Sequence, residues 1–262
     1  MSKPTRRGLL LLGGAAVVGG VYWNHTHPGW FGDLAERQPR PLDNAGGCRT
    51  PEDLERFDRL ADAKLGYEPG KKATSMKSDP AFLERLNVWA KDWENIAGLG
   101  AMTRVWSYGA WTDKCDSLHQ LGRAFDIAEV EHANGSISCR FDSWGPGNAD
   151  ELRAYWRLAA SLHAHFAYTL TYLYNQEHNN HIHVDNTVSG SGPTQFNQAS
   201  RVQVQLVQAA CKYVHGRSVE ITGSWDSQTR SELRAVQKSL GITRPLADPQ
   251  GWQDFLRATA AG

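Results

Sequence analysis

The stretch that decides the fold lies near the middle of the chain and reads Ser117-Leu118-His119-Gln120-Leu121-Gly122-Arg123-Ala124-Phe125-Asp126-Ile127-Ala128. Its first half is polar and contains a glycine, which favours a turn, and its second half carries the apolar residues of a strand. His119 and Asp126 lie seven positions apart with Gly122 between them. A turn at Gly122 would therefore bring a ring nitrogen at the end of a loop and a carboxylate on a strand to one point.

A second segment, His181-Ile182-His183-Val184-Asp185, alternates polar and apolar residues as a strand does, and Glu177 and His178 precede it. Successive side chains of a strand point to opposite faces, so the rings of His181 and His183 are predicted to share one face. Three nitrogen or oxygen ligands from two segments, with a position left for water, are typical of a catalytic zinc site. The chain has no Cys-x-x-Cys pair, which excludes a zinc ribbon.

Two other chemistries fit the same residues less well. A hydrolase triad of Ser117, His119 and Asp126 is disfavoured, because Ser117 lacks the Gly-x-Ser-x-Gly turn that exposes a nucleophile. The segment 177–181 superficially suggests a His-Asn-His nuclease, but the chain shows no basic and aromatic stripe. An exposed polar hairpin or adventitious metal binding remains an alternative for the histidine cluster. The single histidines at 132, 163, 165 and 215 are predicted to be satisfied core or surface residues.

Helical and strand patterns on either side predict an α+β domain with a small antiparallel sheet and flanking helices. Start signals at Thr50-Pro51 and Asp79-Pro80 predict helices over 51–65 and from 80 to 98. The remaining predicted elements are strands at 103–111, 124–128, 168–174 and 181–185 and a helix at 150–166. Beyond a predicted linker at 188–200, helices at 202–214 and 227–240 predict a separate all-α module over 198–262.

The charge of the chain is balanced, with 28 Lys and Arg against 28 Asp and Glu, which argues against a dedicated nucleic-acid binder. Residues 1–32 contain Lys3, Arg6 and Arg7 and no acid, and an apolar run follows from Gly8 to Tyr22. This pattern predicts a twin-arginine-like export leader, or an uncleaved N-terminal anchor as the only membrane contact. Residues 33–47 are predicted to be a linker. We expect the protein to be exported to the periplasm or cell envelope, or out of the cell.

The motif Ser117-x-His119-x-x-Gly122-x-Ala124-x-Asp126, followed by His178-x-x-His181-x-His183-x-Asp185, resembles the signature of the D-alanyl-D-alanine metallopeptidases. It is most similar to the extensin-like C-terminal branch of that superfamily, and the resemblance assigns residues 48–197 to this domain. The resemblance implies the sheet core shared with lysostaphin-type enzymes and the hedgehog domain. It also implies a Zn²⁺ ion held by His119, Asp126 and His183.

The same resemblance implies that His181 is the general base or a transition-state donor and that His178 is a further active-site histidine. Dipeptidases of the superfamily place a catalytic glutamate where this chain has Asn180, so Glu177 is a reserve candidate for the base. The resemblance implies peptide hydrolysis in bacterial peptidoglycan. It leaves open which bond is cut.

The C-terminal segment resembles the peptidoglycan-binding helical module of cell-wall hydrolases, through Val204-Gln205-Leu206-Val207-Gln208, Gly223-Ser224-Trp225-Asp226 and Leu233-x-x-Val236-Gln237. The implied partner is peptidoglycan or its stem peptides. The alternative is a non-catalytic, zinc-containing wall-binding or interaction protein of the same fold. The sequence leaves the oligomeric state open.

Overall fold

A computed structural model of the chain describes residues 51–114, 117–166, 168–186 and 193–262. The predicted leader (1–32) and the predicted linker (33–47) lie outside the described residues. Among the described residues, no helix is both long and apolar enough to cross a membrane. The described chain is α+β, as predicted, with helices packed on a sheet.

Ten short strands lie in the described residues, and eight of them form one sheet. The strands are β1 (Glu55–Phe57), β2 (Arg59–Leu60), β3 (Ala63–Tyr67), β4 (Lys72–Ala73), β5 (Met76–Ser78), β6 (Met102–Gly109), β7 (Ala124–His132), β8 (Gly135–Ser138), β9 (Tyr168–Leu170) and β10 (Ile182–Asp185). The order in the sheet is β2-β3-β6-β7-β10-β9, with β4 beside β3 and β8 beside β7. β1 and β5 pair separately.

Six α-helices accompany the strands in the described part of the chain. They are α1 (Pro80–Ala97), α2 (Phe141–Trp144), α3 (Ala149–His165), α4 (Arg201–Ala209), α5 (Ser227–Ser239) and α6 (Pro249–Ala261), and α4 continues as a π-helical turn over Ala210–Val214. The start of α1 follows the predicted signal, because the Asp79 side chain accepts a hydrogen bond from the Phe82 backbone N–H and Pro80 occupies the first turn.

The central strands separate an apolar face from a polar one. Phe125 and Ile127 of β7 and Ile182 and Val184 of β10 are fully buried, in one apolar core with residues of α1 and α3. Because side chains alternate along a strand, Asp126 and His183 project from the opposite face. The apolar core therefore lies on one side of these strands and the candidate site on the other.

Three predictions about the fold are wrong. The strand predicted over 168–174 ends at Leu170, and residues 172–174 form a turn. The segment 51–65 is not a helix but contains β1, β2 and the start of β3. Its apolar residues Phe57, Leu60 and Ala63 are three apart because β2 and β3 pair around a tight turn, in which Ala61 has a φ of 49°; this spacing imitates a helical period. The sheet is also mixed rather than antiparallel, since β3 and β6 run parallel.

The C-terminal helices are built into the same core as the sheet domain. Trp252 and Phe255 of α6 are fully buried in the apolar cluster that also contains Trp89 of α1 and Trp156 of α3. The predicted helices at 202–214 and 227–240 are confirmed, whereas α6 was not predicted. All described residues belong to one compact unit, and the boundary at 197 and 198 stays a prediction.

Candidate metal centre

The register of β7 and β10 brings two of the predicted ligands together. His183 lies directly opposite Asp126 in this antiparallel pair, and opposite residues share a face of the sheet. The His183 Nδ1 atom lies 2.8 Å from Asp126 Oδ1. His181 precedes β10 by one residue, and its Nε2 atom lies 3.6 Å from the same carboxylate oxygen.

A tight turn carries the third ligand, His119, to this face. Gly122 closes the turn with a φ of 66°, and its N–H donates to the His119 carbonyl oxygen at 3.0 Å. The Gly122 carbonyl oxygen accepts hydrogen bonds from Asp79 N–H and Ser78 Oγ, and an added Cβ at Gly122 would lie 2.6 Å from Asp79 N. The turn therefore requires glycine both for its left-handed backbone and for its close approach to the start of α1.

His119, Asp126 and His183 each offer one ligand atom, and these atoms lie within 4.8 Å of one another. His119 Nε2 is 3.3 Å from Asp126 Oδ2 and 3.3 Å from His183 Nδ1. Two imidazole nitrogens and one carboxylate are a donor set that suits a divalent transition metal. The three predicted ligands form a group that could bind a metal ion.

The second nitrogen of each ligand ring is fixed by an oxygen acceptor. His119 Nδ1 lies 2.7 Å from the Ala110 carbonyl oxygen, and a carbonyl can only accept, so this nitrogen carries the proton. His183 Nε2 lies 3.3 Å from Asp185 Oδ2, and Asp185 is buried. Acceptors of this kind select the tautomer of a metal-binding histidine and orient its ring. His119 Nε2 and His183 Nδ1 are thus the nitrogens that face the cluster.

The electrostatics of the cluster favour a positive charge among these groups. Burial opposes the ionised form of Asp126, but hydrogen bonds from His119 and His183 hold the pKa of this carboxyl well below its usual range. Burial likewise opposes the charged form of His183, and hydrogen bonds to Asp126 and Asp185 raise its pKa to about 10. The pKa of His181 is lowered, chiefly by burial. A cation between Asp126 and Asp185 is therefore stabilised.

Two asparagines hold the other predicted catalytic histidines. His181 Nδ1 lies 2.6 Å from Asn180 Oδ1, and His178 Nδ1 lies 2.6 Å from Asn175 Oδ1. Because a carboxamide oxygen only accepts, Nδ1 carries a proton in both rings, and the lowered pKa of His181 leaves a lone pair on its Nε2. The rings of His178 and His181 lie against each other with centroids 5.0 Å apart.

Glu177, the reserve candidate for the base, lies away from the cluster. It is exposed on a 3-10 turn, Gln176–His178. Within the described residues its carboxylate forms no hydrogen bond or ion pair with the cluster and acts on His181 only through its charge. The geometry thus brings His119, Asp126, His183, His181 and His178 together and leaves Glu177 at the rim.

Sequence reasoning missed the residues that orient the rings. Asp185 was noted only as a flanking carboxylate, although its position two residues after His183 on one strand places both on the same face. Asn175, Asn180 and the Ala110 carbonyl gave no usable signal, because polar loop residues and backbone oxygens occur in every loop.

Comparisons with known proteins name no relative. The chain matches no model of a known protein family, no curated protein and no solved structure.

Proposed function

We propose that the protein is an exported, zinc-dependent peptidase that hydrolyses peptide bonds in bacterial peptidoglycan. The observation that carries the proposal is the group of His119 Nε2, Asp126 and His183 Nδ1, with an oxygen acceptor behind each ring. Metal-binding histidines almost always have such acceptors. Three protein ligands are also the number that a catalytic zinc site uses.

The donor set fits zinc. His119, Asp126 and His183 would hold the ion, and a bound zinc makes water a stronger acid and polarises the carbonyl to be cleaved. Asp126 and Asp185 supply negative charge on both sides of His183. These two carboxylates stabilise a positive charge at His183, and a bound divalent cation would take the place of the proton on His183 Nδ1.

His181 is the residue of this chain that would move a proton. Its Nδ1 proton is committed to Asn180, so its Nε2 lone pair faces Asp126 at 3.6 Å and can accept a proton from attacking water. The lowered pKa of His181 keeps this nitrogen unprotonated near neutral pH. The same Nε2–H then donates to the leaving amine, which completes the transfer. His178 packs against His181 and limits the movement of its ring.

Export and the peptidoglycan substrate rest on sequence features. The acid-free basic start with its apolar run supports an exported location, and the paired histidine motifs support a D-alanyl-D-alanine-peptidase-like, extensin-like domain with the hedgehog-like sheet. The Gln- and Leu-rich helices support a wall-binding role for the C-terminal segment. A non-catalytic zinc protein of the same fold is the competing outcome of the test below.

The test measures metal content and muropeptide release from isolated sacculi, with and without chelator. Because His119 and His183 supply ligands, H119A and H183A should lose both the metal and the activity. H181A should keep the metal and lose turnover. His132 is held by Trp93 and the Gly100 carbonyl away from the cluster, so H132Q serves as the matched control. Metal binding without any hydrolysis would select the non-catalytic alternative, and full activity in H119A would overturn the proposal.

A further inference from the structure

A cluster of four charged residues lies between the end of β3 and the start of α2, outside the candidate metal centre. Its members are Glu68, Lys71, Arg140 and Asp142, and hydrogen bonds join them to one another. On the far side of α2 is the segment 175–181, called the histidine loop below because it carries both predicted catalytic histidines. We propose that Arg140 is a positioning residue of the site, which holds the histidine loop in place through Asp142.

The first argument concerns α2, which carries Asp142. This helix has four residues, and a helix of that length is unstable without outside contacts. Phe141 supplies one contact, because its ring stacks on Tyr172 with centroids 3.8 Å apart. Arg140 supplies another, since its Nε and Nη2 atoms donate to the two carboxylate oxygens of Asp142 at 2.8 Å each. A guanidinium that binds both oxygens fixes the direction of the carboxylate as well as its distance.

The second argument is that Arg140 is itself fixed by the sheet. Its Nη1 atom donates to Glu68 Oε1 at 3.1 Å, and Glu68 is buried. The Glu68 backbone N–H donates to the Ser107 carbonyl oxygen of β6 at 2.9 Å. Lys71 Nζ lies 2.6 Å from Glu68 Oε2 and 3.1 Å from Glu129 of β7. A buried carboxylate holds its cationic partners firmly, because leaving it unpaired is costly. The sheet is therefore the support from which Arg140 reaches α2.

The third argument is the hydrogen bond that joins α2 to the histidine loop. The Asp142 backbone N–H donates to the Asn179 carbonyl oxygen at 2.9 Å. Among the described residues, two other backbone hydrogen bonds of this loop stay within it, and both are 3.2 Å long. The bond from Asp142 therefore connects the loop to the rest of the protein, and its strength depends on where Arg140 holds Asp142.

The residue that accepts this bond lies between the two histidines. Asn179 follows His178 and precedes Asn180, whose side-chain oxygen lies 2.6 Å from His181 Nδ1. A shift of the loop would change the distance of 3.6 Å between His181 Nε2 and Asp126. Displacements of about 1 Å in a catalytic site can lower a rate about 100-fold. Arg140 thus acts on the reaction through the position of His181 and without touching the substrate.

The competing explanation is that Arg140 only stabilises the fold, and R140K separates the two roles. A lysine keeps a positive charge beside Glu68, so the buried carboxylate keeps a cationic partner, but an ammonium group cannot bind both oxygens of Asp142 in the same way. We expect R140K to melt close to the unmodified chain. Hydrogen exchange of backbone amides in the segments 141–144 and 175–181, measured by mass spectrometry on the full chain, should become about tenfold faster and stay unchanged in α1 and α3.

The inference rests on the proposed function for its effect on the rate. With sacculi as the substrate, kcat of R140K should fall about tenfold, while KM and zinc content stay the same. A role in stability alone would leave kcat unchanged once the melting temperature is preserved.

D142N breaks the same pair from its other side and keeps the backbone N–H at position 142. It should speed exchange in the histidine loop about as much as R140K does. The double variant R140K/D142N should add little to either change, because all three remove one interaction. R217Q is the matched control, since Arg217 Nε lies 2.7 Å from Glu232 in the C-terminal segment. It should leave loop exchange and kcat within about twofold of the unmodified chain.

Three results would overturn the inference: unchanged exchange in the histidine loop of R140K and D142N, exchange that rises equally in α1 and α3, or an unchanged kcat of R140K in an active protein. Each of them leaves the proposed function standing if the unmodified chain hydrolyses sacculi. Faster exchange confined to the two segments, in a protein that hydrolyses nothing, supports the positioning of the loop by Arg140 and removes the proposed function.

Discussion

Two groups of histidines in this protein, His119 and His183 on the sheet and His163 in α3, are largely or fully buried and have opposite surroundings. On the sheet, every ring nitrogen of His119 and His183 faces an oxygen or another ligand atom. In α3, His163 is fully buried, yet neither of its ring nitrogens has a hydrogen-bond partner among the described residues. The nearest aromatic feature is the edge of Trp252, with ring centroids 6.5 Å apart.

The difference shows that burial alone does not decide the charge of an imidazole. The carboxylates of Asp126 and Asp185 raise the pKa of His183 to about 10, against the effect of burial. Burial without such partners lowers the pKa of His163 to about 3. A buried histidine therefore holds a cation only where the fold also supplies negative charge, as the sheet face does.

The largest effect is expected from removing the carboxylate of Asp185, which accepts the Nε2 proton of the ligand His183. In D185A, His183 loses the acceptor of its Nε2 proton, so its ring is free to turn and Nδ1 becomes a weaker ligand. We expect zinc affinity to fall about 10- to 100-fold. The measurement is competition with a chelating fluorophore, which does not depend on catalytic activity.

The matched control for D185A is E177A, because Glu177 carries the same charge at the rim of the site but is exposed and has no contact with His183. Its zinc affinity should stay within about twofold of the unmodified chain. If E177A and D185A weakened zinc equally, the general negative potential and not the orientation of His183 would be responsible.

A smaller effect is expected from the acceptor behind His181. N180A removes the oxygen 2.6 Å from His181 Nδ1, so the ring is no longer held as the Nδ1–H tautomer. We expect kcat to fall about tenfold with little change in KM or zinc content. Nitrogen-15 NMR of the metal-free protein should show the His181 tautomer shifting from Nδ1–H toward a mixture.

Asn179 supplies the control for this change, since it is the adjacent residue and its backbone oxygen, not its side chain, accepts from Asp142 N–H at 2.9 Å. N179A should leave both kcat and the His181 tautomer unchanged. An unaltered tautomer in N180A would contradict the role of Asn180 as a positioning residue, whatever happened to the rate.

Strand periodicity and a glycine turn are local patterns, so the sequence predicted that the site residues come together, whereas the choice of His119, Asp126 and His183 as ligands came from the resemblance to the metallopeptidase motif. The alternation of side chains along β7 and β10 predicted the face of the sheet from which Asp126 and His183 project. Gly122 indicated the turn that brings His119 back to them. The helices α1 and α3 were also predicted, since both carry an apolar stripe and α1 begins at the predicted cap, Asp79.

The features of the fold that the sequence did not predict depend on contacts between distant segments. The parallel pairing of β3 with β6 joins residues about 40 positions apart and leaves no local pattern. The spacing of Phe57, Leu60 and Ala63 fits a helix as well as a hairpin, and only the packed core decides between them. His163 was predicted to be a satisfied residue. That prediction is wrong, because the partner of a buried ring is set by tertiary packing.

The smallest expected effect tests His163 itself through the pH dependence of stability. At pH values well above 6.5 the ring is neutral in both the folded and the unfolded chain, so it adds no pH dependence. Below that pH the unfolded chain binds a proton at His163, whereas the folded chain binds it only near pH 3. Stability therefore falls as the pH falls. H163L has no such group. Its free energy of unfolding, relative to that of the unmodified chain, should therefore rise by about 1 kcal/mol between pH 6.5 and 5.5.

Urea unfolding at several pH values measures this difference, and L162M is the control, because Leu162 is fully buried beside His163 in α3 and does not titrate. The difference between L162M and the unmodified chain should be the same at every pH. A difference for H163L that also stays flat would mean that the buried ring finds a proton-stabilising partner after all. The two groups of histidines would then differ in how their rings are packed and not in whether they are charged.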